Sequence, residues 1–219
     1  MTELRGRAPG NLYVVEGPDS VGKTTLAGAF VNRLREAAIP ARLLAFPGNE
    51  AGTLGRHVYR LHHDPAAFDI SRIDPSSLQA LHVAAHIDAI EHEIRPRVES
   101  GETVVLDRFW WSTWVYGIEG GAPPASLHAL IELEKVHWRT LSPQLIFLVK
   151  RHAPFDNLTH RERFRRLTDH YVDLAGRTED FQVHMLSNMG TIAEEVVVMM
   201  AKVSSLAATP KEGPRVSRP

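Results

Sequence analysis

The sequence predicts an α/β fold in which a doubly wound, five-stranded parallel sheet carries helices on both faces. Three observations predict it. Short apolar runs alternate with helix-period segments, the order of repeated strand–helix–strand units. A glycine turn ending in Gly22-Lys23-Thr24 falls directly between the first apolar run and the first helical pattern. The chain has 219 residues, 43% hydrophobic and 23% charged, so one domain can bury a full core without disulfide or metal staples.

In chain order, Leu12-Tyr13-Val14-Val15 reads as a buried strand running into Gly17. Residues 24–38 follow as a helix with Leu26, Phe30, Val31 and Leu34 on one face. Residues 41–46 form a second strand, stopped by Pro47-Gly48. A long helix is expected over 76–99, capped by Ser76 and stopped by Gly101, with its last turn bent or shortened at Pro96. Residues 103–106 are the third strand, closing on Asp107-Arg108. After a loop at 120–124 come a helix at 125–141 and a fourth strand at 144–149. A basic amphipathic helix at 161–175, a short fifth strand at 181–186 and a last helix at 191–206 complete the order. The organisation expected is a flexible N-terminus at 1–10, one domain at 11–206 with a short lid at about 150–166, and a disordered tail at 207–219.

Composition narrows the function classes. Lys and Arg total 25 against 26 Asp and Glu, so no net field favours nucleic acid or a membrane surface. With no cysteine, thiolate catalysis, Fe–S clusters and cysteine zinc sites are excluded, and a reducing cytoplasm suits the chain. No apolar run approaches the ~20 residues needed to span a bilayer, and residues 1–10 lack the apolar stretch of a secretory signal.

The sharpest motif is Gly17-Pro18-Asp19-Ser20-Val21-Gly22-Lys23-Thr24, a full match to GxxxxGK[ST] in its required place between strand and helix. Glycines let the backbone N–H groups of Ser20, Val21 and Gly22 curl inward around a polyphosphate, with Thr25 extending the same helix start. Lys23 adds a full positive charge for the β and γ phosphates of a nucleotide, and the Thr24 hydroxyl suits Mg²⁺. The fold expected is therefore of the P-loop NTPase type. Asp107-Arg108 closes the third strand, where the acid can hold Mg²⁺ and the arginine clamp an anionic oxygen, or the two can form a plain strand-end ion pair.

These residues resemble the thymidylate kinase family of P-loop nucleoside monophosphate kinases. Residues 16–25 resemble that family's EGxDGxGKST opening. Phe46-Pro47-Gly48 with Gly52-Thr53-Leu54-Gly55 resembles its (E/F)PGGTxxG segment. Asp107 to Ser112, then Val115-Tyr116, resembles DRYxxSxxAYQ, and residues 143–149 resemble the strand leading into its lid. The likeness covers roughly residues 11–200. It implies transfer of the ATP γ-phosphate to a nucleoside monophosphate, dTMP first among acceptors, with Mg²⁺ and as a homodimer. It further implies that Lys23 and Thr24 grip donor phosphates and Mg²⁺, that Asp107 orients the metal, and that Arg108 holds the acceptor phosphate. Asp19 would reach the acceptor sugar, while Phe46, Ser112 and Tyr116 would line the acceptor site.

The departures fall on the acceptor side. Ala45-Phe46 precedes Pro47 where the family has a basic residue, Gly117 replaces its Gln, and the resemblance sets Val83 at its stacking position and Ile87 at its arginine. His82 and His86, at i and i+4, are read as acceptor-binding hydrogen-bond partners in place of those groups, with a two-histidine metal site as the lesser reading. Trp110, Trp111 and Trp114 serve either as base platforms or as core and dimer contacts. The phosphate loop's variable positions carry no cation, so transition-state charge calls for a lid residue. Lys150, Arg151, Arg161, Arg163, Arg165 and Arg166 lie in that stretch, and Arg151 and Arg161 are the choices. A deoxynucleoside kinase with Glu16 or Glu50 as base, or a kinase of a modified pyrimidine nucleotide, is the alternative. A nucleotide switch lacks its NKxD motif here.

Overall fold

The computed structural model describes residues 8–155 and 161–208. Residues 1–7 of the expected N-terminal segment, 156–160 of the expected lid and 209–219 of the expected tail lie outside the described residues. Gly10 donates to the Val98 carbonyl at 2.7 Å, so the end of the N-terminal segment is pinned.

Five strands, β1 (Leu12–Glu16), β2 (Ala41–Ala45), β3 (Thr103–Asp107), β4 (Leu145–Lys150) and β5 (Val183–Ser187), form one parallel sheet in the order β2-β3-β1-β4-β5. Strands buried on both faces read as near-continuous apolar runs rather than alternating ones, as β1, β3 and β4 do up to their polar ends at Glu16, Asp107 and Lys150. Alternate side chains feed two cores. Leu12, Val14, Leu106, Ile146 and Leu148 point to one face. It is covered by α3 (Pro75–Ala89), α5 (Trp110–Glu119), α6 (Pro124–Trp138) and α7 (Arg161–Arg177). Tyr13, Val15, Val105, Phe147 and Val149 point to the other, covered by α1 (Lys23–Glu36) and α8 (Ile192–Ala208). Leu26, Phe30, Val31 and Leu34 of α1 are all buried there, as the periodicity predicts. No helix among the described residues is long and apolar enough to cross a membrane.

Register positions the site. Val15 pairs with Asp107 and Glu16 with Leu148. The loop leaving β1 is therefore flanked by Asp107-Arg108 on one side and Lys150-Arg151 on the other, at the carboxyl edge of the sheet.

The long helix differs from its expected form. Asp74, not Ser76, caps it: its Oδ1 accepts the N–H groups of Ser76 and Ser77 at 2.8 and 3.2 Å, with Pro75 as the first helical residue. Pro96 neither shortens nor ends it. One π-helical turn at Ile90–Ile94 lets Arg95 N–H reach the Ile90 carbonyl five residues back, and α4 (Arg95–Glu99) restarts with the proline in its first turn. A proline there has no N–H to lose, which is why the helix runs on to Glu99. Two helices go unforeseen. Of α2 (Leu54–His63) only Gly55 and Val58 are buried, too little for an apolar stripe, and α5 begins immediately beyond Asp107-Arg108 in an aromatic run. The last helix also reaches Ala208 rather than Leu206.

Candidate active site

The phosphate loop is a left-handed curl. Gly17 (φ 141°) and Gly22 (φ 88°) take conformations that side chains disfavour. A Cβ on Gly17 would sit 2.2 Å from the Val149 carbonyl, so the loop can approach β4 only with glycine there. Lys23 Nζ donates to the Pro18 carbonyl at 2.7 Å and stands 3.9 Å from Asp19. Burial, with help from the Arg108 charge, pushes the Lys23 pKa down to about 8. Such a cation gains strongly from an anionic ligand.

Thr24 Oγ1 donates to Asp107 Oδ2 at 2.5 Å, while Asp107 Oδ1 is buried with no hydrogen-bond partner. An orphaned carboxylate oxygen beside a hydroxyl at the end of the phosphate loop is a donor set that fits Mg²⁺.

Arg108 has a left-handed backbone (φ 85°), unusual for a residue with a side chain. Glu16, fully buried, holds that turn in place. Its carboxylate accepts from Phe109 N–H at 2.7 Å, Ser112 N–H at 3.1 Å and Gly17 N–H at 3.1 Å. Burial raises the Glu16 pKa, opposed by the Arg108 and Lys23 charges and these N–H groups. The Ser112 hydroxyl joins Glu16 to Tyr171 (2.8 Å) and accepts from Arg108 Nη1 at 3.2 Å. The other end of the guanidinium hydrogen-bonds Asp19, whose Oδ2 also accepts from Tyr116 OH at 2.8 Å. Burial alone would raise the Asp19 pKa, but Arg108, Lys23 and the Tyr116 hydrogen bond bring it below the usual value. The carboxylate is thus ionised and poised on the rim.

Beyond this rim lies a cavity of about 400 Å³, in the size range of small-molecule sites. Asp19, Phe46, Arg108, Ser112 and Tyr116 line it, as do His82 and His86. These are the acceptor-side residues read from the sequence, now in one place. Arg151 lies on the opposite, β4 side of the phosphate loop. It hydrogen-bonds the Asn188 carbonyl and stacks 3.6 Å over the Phe155 ring, while Asn188 Nδ2 donates to Val21 O at 2.6 Å. Arg161 stands exposed at the start of α7. Arg166 pairs with Glu119 at 2.8 Å and Arg163 with the same acid at 3.9 Å, so these two serve α5–α7 packing.

A family model described as Thymidylate kinase matches residues 15–212. The chain belongs to the thymidylate kinase family. It is accordingly a nucleoside monophosphate kinase. Relatives include the thymidylate kinase of Symbiobacterium thermophilum, 28% identical over 189 residues covering 82% of this chain and 86% of the relative. That of Neorickettsia sennetsu is 28% identical over 202 residues, covering 87% and 94%. That of Chlamydia muridarum is 38% identical over 110 residues, about half of each chain at 49% and 51%.

On three points the structure is more specific than the sequence. Neither Val83 nor Ile87 lines the cavity. The face of α3 that meets it runs through Gln79, His82 and His86, three and four residues apart, and Ile87 is turned about 100° from His86. The tryptophans are not base platforms: Trp110 and Trp111 are buried in the core beneath β1 and β3, and Trp114 packs against it. The two histidines form no metal pair. His86 bonds Glu134, His82 Nε2 meets His62 Nδ1 at 3.1 Å, and the described residues hold no cluster of three metal-ligating side chains. Sequence reasoning missed Gln79, Thr113, Glu134, Tyr171 and Asn188, which carry no motif and are assembled only by packing. Glu16 was legible as a carboxylate but faces the β3–α5 turn rather than the cavity, and Glu50 borders a separate small cavity behind Phe46.

Proposed function

We propose that this kinase transfers the γ-phosphoryl group of ATP to dTMP, with Mg²⁺ held by Thr24 and Asp107. One observation carries the reading. Arg108, tied to Asp19 and Tyr116, stands between the phosphate loop and the cavity, where an anionic acceptor would place its phosphate. The nucleoside-kinase alternative loses support because Glu16 and Glu50, its base candidates, do not line the cavity.

Phosphoryl transfer needs positioning and charge neutralisation more than covalent chemistry. Lys23 and the loop N–H groups hold the donor's phosphates, Arg108 aligns the acceptor's phosphate, and Asp19 accepts from the acceptor's sugar hydroxyl. When bound, Mg²⁺ offsets charge on the transferring group. Arg151, beside the loop and with its Nε buried and unpartnered, supplies the further cation, with Arg161 as second choice.

The test is a product assay by mass spectrometry with ATP, Mg²⁺ and panels of nucleosides and nucleoside monophosphates. Formation of dTDP is expected. Arg108→Ala is expected to raise the dTMP KM by about 10²-fold, the worth of a lost charge-assisted bidentate contact, with ATP KM little changed. Turnover of nucleosides alone would overturn the assignment.

We further place the enzyme in the cytoplasm, as a homodimer. Leu133 and Val136 on α6 and Leu81 on α3 are exposed apolar side chains on adjoining helices, the kind of surface a second copy covers. Sedimentation at twice the monomer mass is expected; a monomer at working concentration would remove the dimer.

A further inference from the structure

The acceptor cavity ends on a buried pair that the transfer mechanism does not use. Glu134 of α6 is fully buried, and both its oxygens are engaged. Oε1 accepts from Trp138 Nε1 at 2.9 Å, and Oε2 meets His86 Nδ1 at 2.7 Å. A carboxylate only accepts, so His86 Nδ1–H is the donor of this pair. The Phe46 ring, stacked 4.1 Å from the imidazole, fixes its plane. This leaves His86 Nε2 on the far side of the ring, with no partner among the described residues, in a side chain that lines the cavity. A second buried polar side chain, Gln79, lines the same cavity. His86 thus presents an acceptor at Nε2, and the Gln79 amide a donor.

We propose that the His86–Glu134 pair, with Gln79, reads the base of the acceptor. His86 Nε2 accepts the ring N–H of a uracil-type pyrimidine, while Gln79 donates to its carbonyl. The proposal rests on the reading of this cavity as the acceptor site. It makes recognition depend on which ring nitrogen carries the proton. An imidazole with its proton on Nε2 sets an N–H against the N–H of a uracil-type base, but suits a cytosine-type base, whose ring nitrogen at that position is an acceptor.

The groups around His86 leave Glu134 as its direct charged partner. His82, on the same helix, has its pKa pushed down to about 3 by burial and by the neighbouring His86, His62 and Arg108, so it stays neutral. His62 and His63 of α2 and Arg108 and Tyr116 beside α5 complete the lining from the other elements.

The experiment is steady-state kinetics of the full-length enzyme with dTMP and with dCMP at one fixed pH. The wild-type dTMP KM is expected to lie about tenfold below the dCMP KM, with the ATP KM the same for both acceptors. In Glu134→Gln the amide oxygen stays with Trp138 and the NH₂ turns to His86 Nδ1, which forces the ring proton onto Nε2. That variant is expected to raise the dTMP KM about tenfold and lower the dCMP KM, opposite changes that lost packing does not give. A wild-type enzyme that binds dCMP as well as dTMP overturns the proposal whether or not Glu134→Gln folds; so does a Glu134→Gln enzyme with the wild-type dTMP KM. An enzyme that phosphorylates no nucleoside monophosphate overturns the functional reading itself, a result distinct from either.

Discussion

Lys23→Met is expected to abolish phosphoryl transfer and yet make the ligand-free enzyme harder to unfold. Loss of the one cation inside the phosphate loop removes charge stabilisation that no other loop residue replaces, so kcat should fall by about 10³-fold or more. Stability moves the other way because the folded chain buries this charge, which burial and Arg108 hold at a pKa of about 8. The sign follows from proton binding. Below about pH 8 both folded and unfolded chains carry the proton, and the cost of burying the charge is fully present. Between there and the ordinary lysine value the unfolded chain binds more protons, so wild-type stability rises with pH. Methionine removes the charge but also the bond to the Pro18 carbonyl, leaving a net gain of roughly 1 kcal/mol, about 2–4 °C in Tm near pH ~7. The gain should shrink as pH approaches ~10. Thermal unfolding at both pH values, with single-turnover kinetics, checks both halves. A variant less stable than wild type throughout would show that Lys23 is held by its hydrogen bond rather than strained by burial. Saturating ATP should raise the Tm of the wild type and not of the variant.

Glu16→Ala is expected to be the most destabilising single change in the site, by about 3–5 kcal/mol. It strands the N–H groups of Gly17, Phe109 and Ser112, and leaves the Ser112 hydroxyl and Tyr171 without their carboxylate. It also frees Arg108 from the left-handed turn, a conformation worth of order 1–2 kcal/mol of strain for a residue with a Cβ. The acceptor KM should therefore rise more than the ATP KM. Glu16→Gln keeps one accepting oxygen for the Phe109 and Ser112 N–H groups and should lose less than half as much. Urea unfolding of both variants separates the contributions, and equal losses would mean that the carboxylate's charge, not its acceptor geometry, holds the turn.

The phosphate loop was legible because its chemistry is local. Eight consecutive residues between a strand and a helix specify a curl of N–H groups and a lysine, and no distant partner is needed to recognise it. The strands were legible for a related reason: a parallel strand buried on both faces is apolar along nearly its whole length, so β1, β3 and β4 stand out of any window. Asp107-Arg108 was legible only as a strand end, and the order β2-β3-β1-β4-β5 is what brings it beside the loop.

The cavity beyond Arg108 was not legible in the same way. His82 and His86 were visible as a pair, but their spacing alone could not choose between a metal, a surface and a pocket. The choice is made by groups far away in sequence: Glu134, 48 residues from His86, takes its Nδ1, while His62, 20 residues from His82, takes its Nε2. Helix α2, which carries His62, has too few buried residues to announce itself, and the π turn at Ile90–Ile94 hides how Pro96 is accommodated. By itself, the sequence determined the strands, the phosphate-loop curl and the class of reaction, since each depends on residues adjacent along the chain. The packing of α3 against α2, α5 and α6 decided which side chains face the cavity, because a buried hydrogen bond joins whatever the fold brings within about 3 Å.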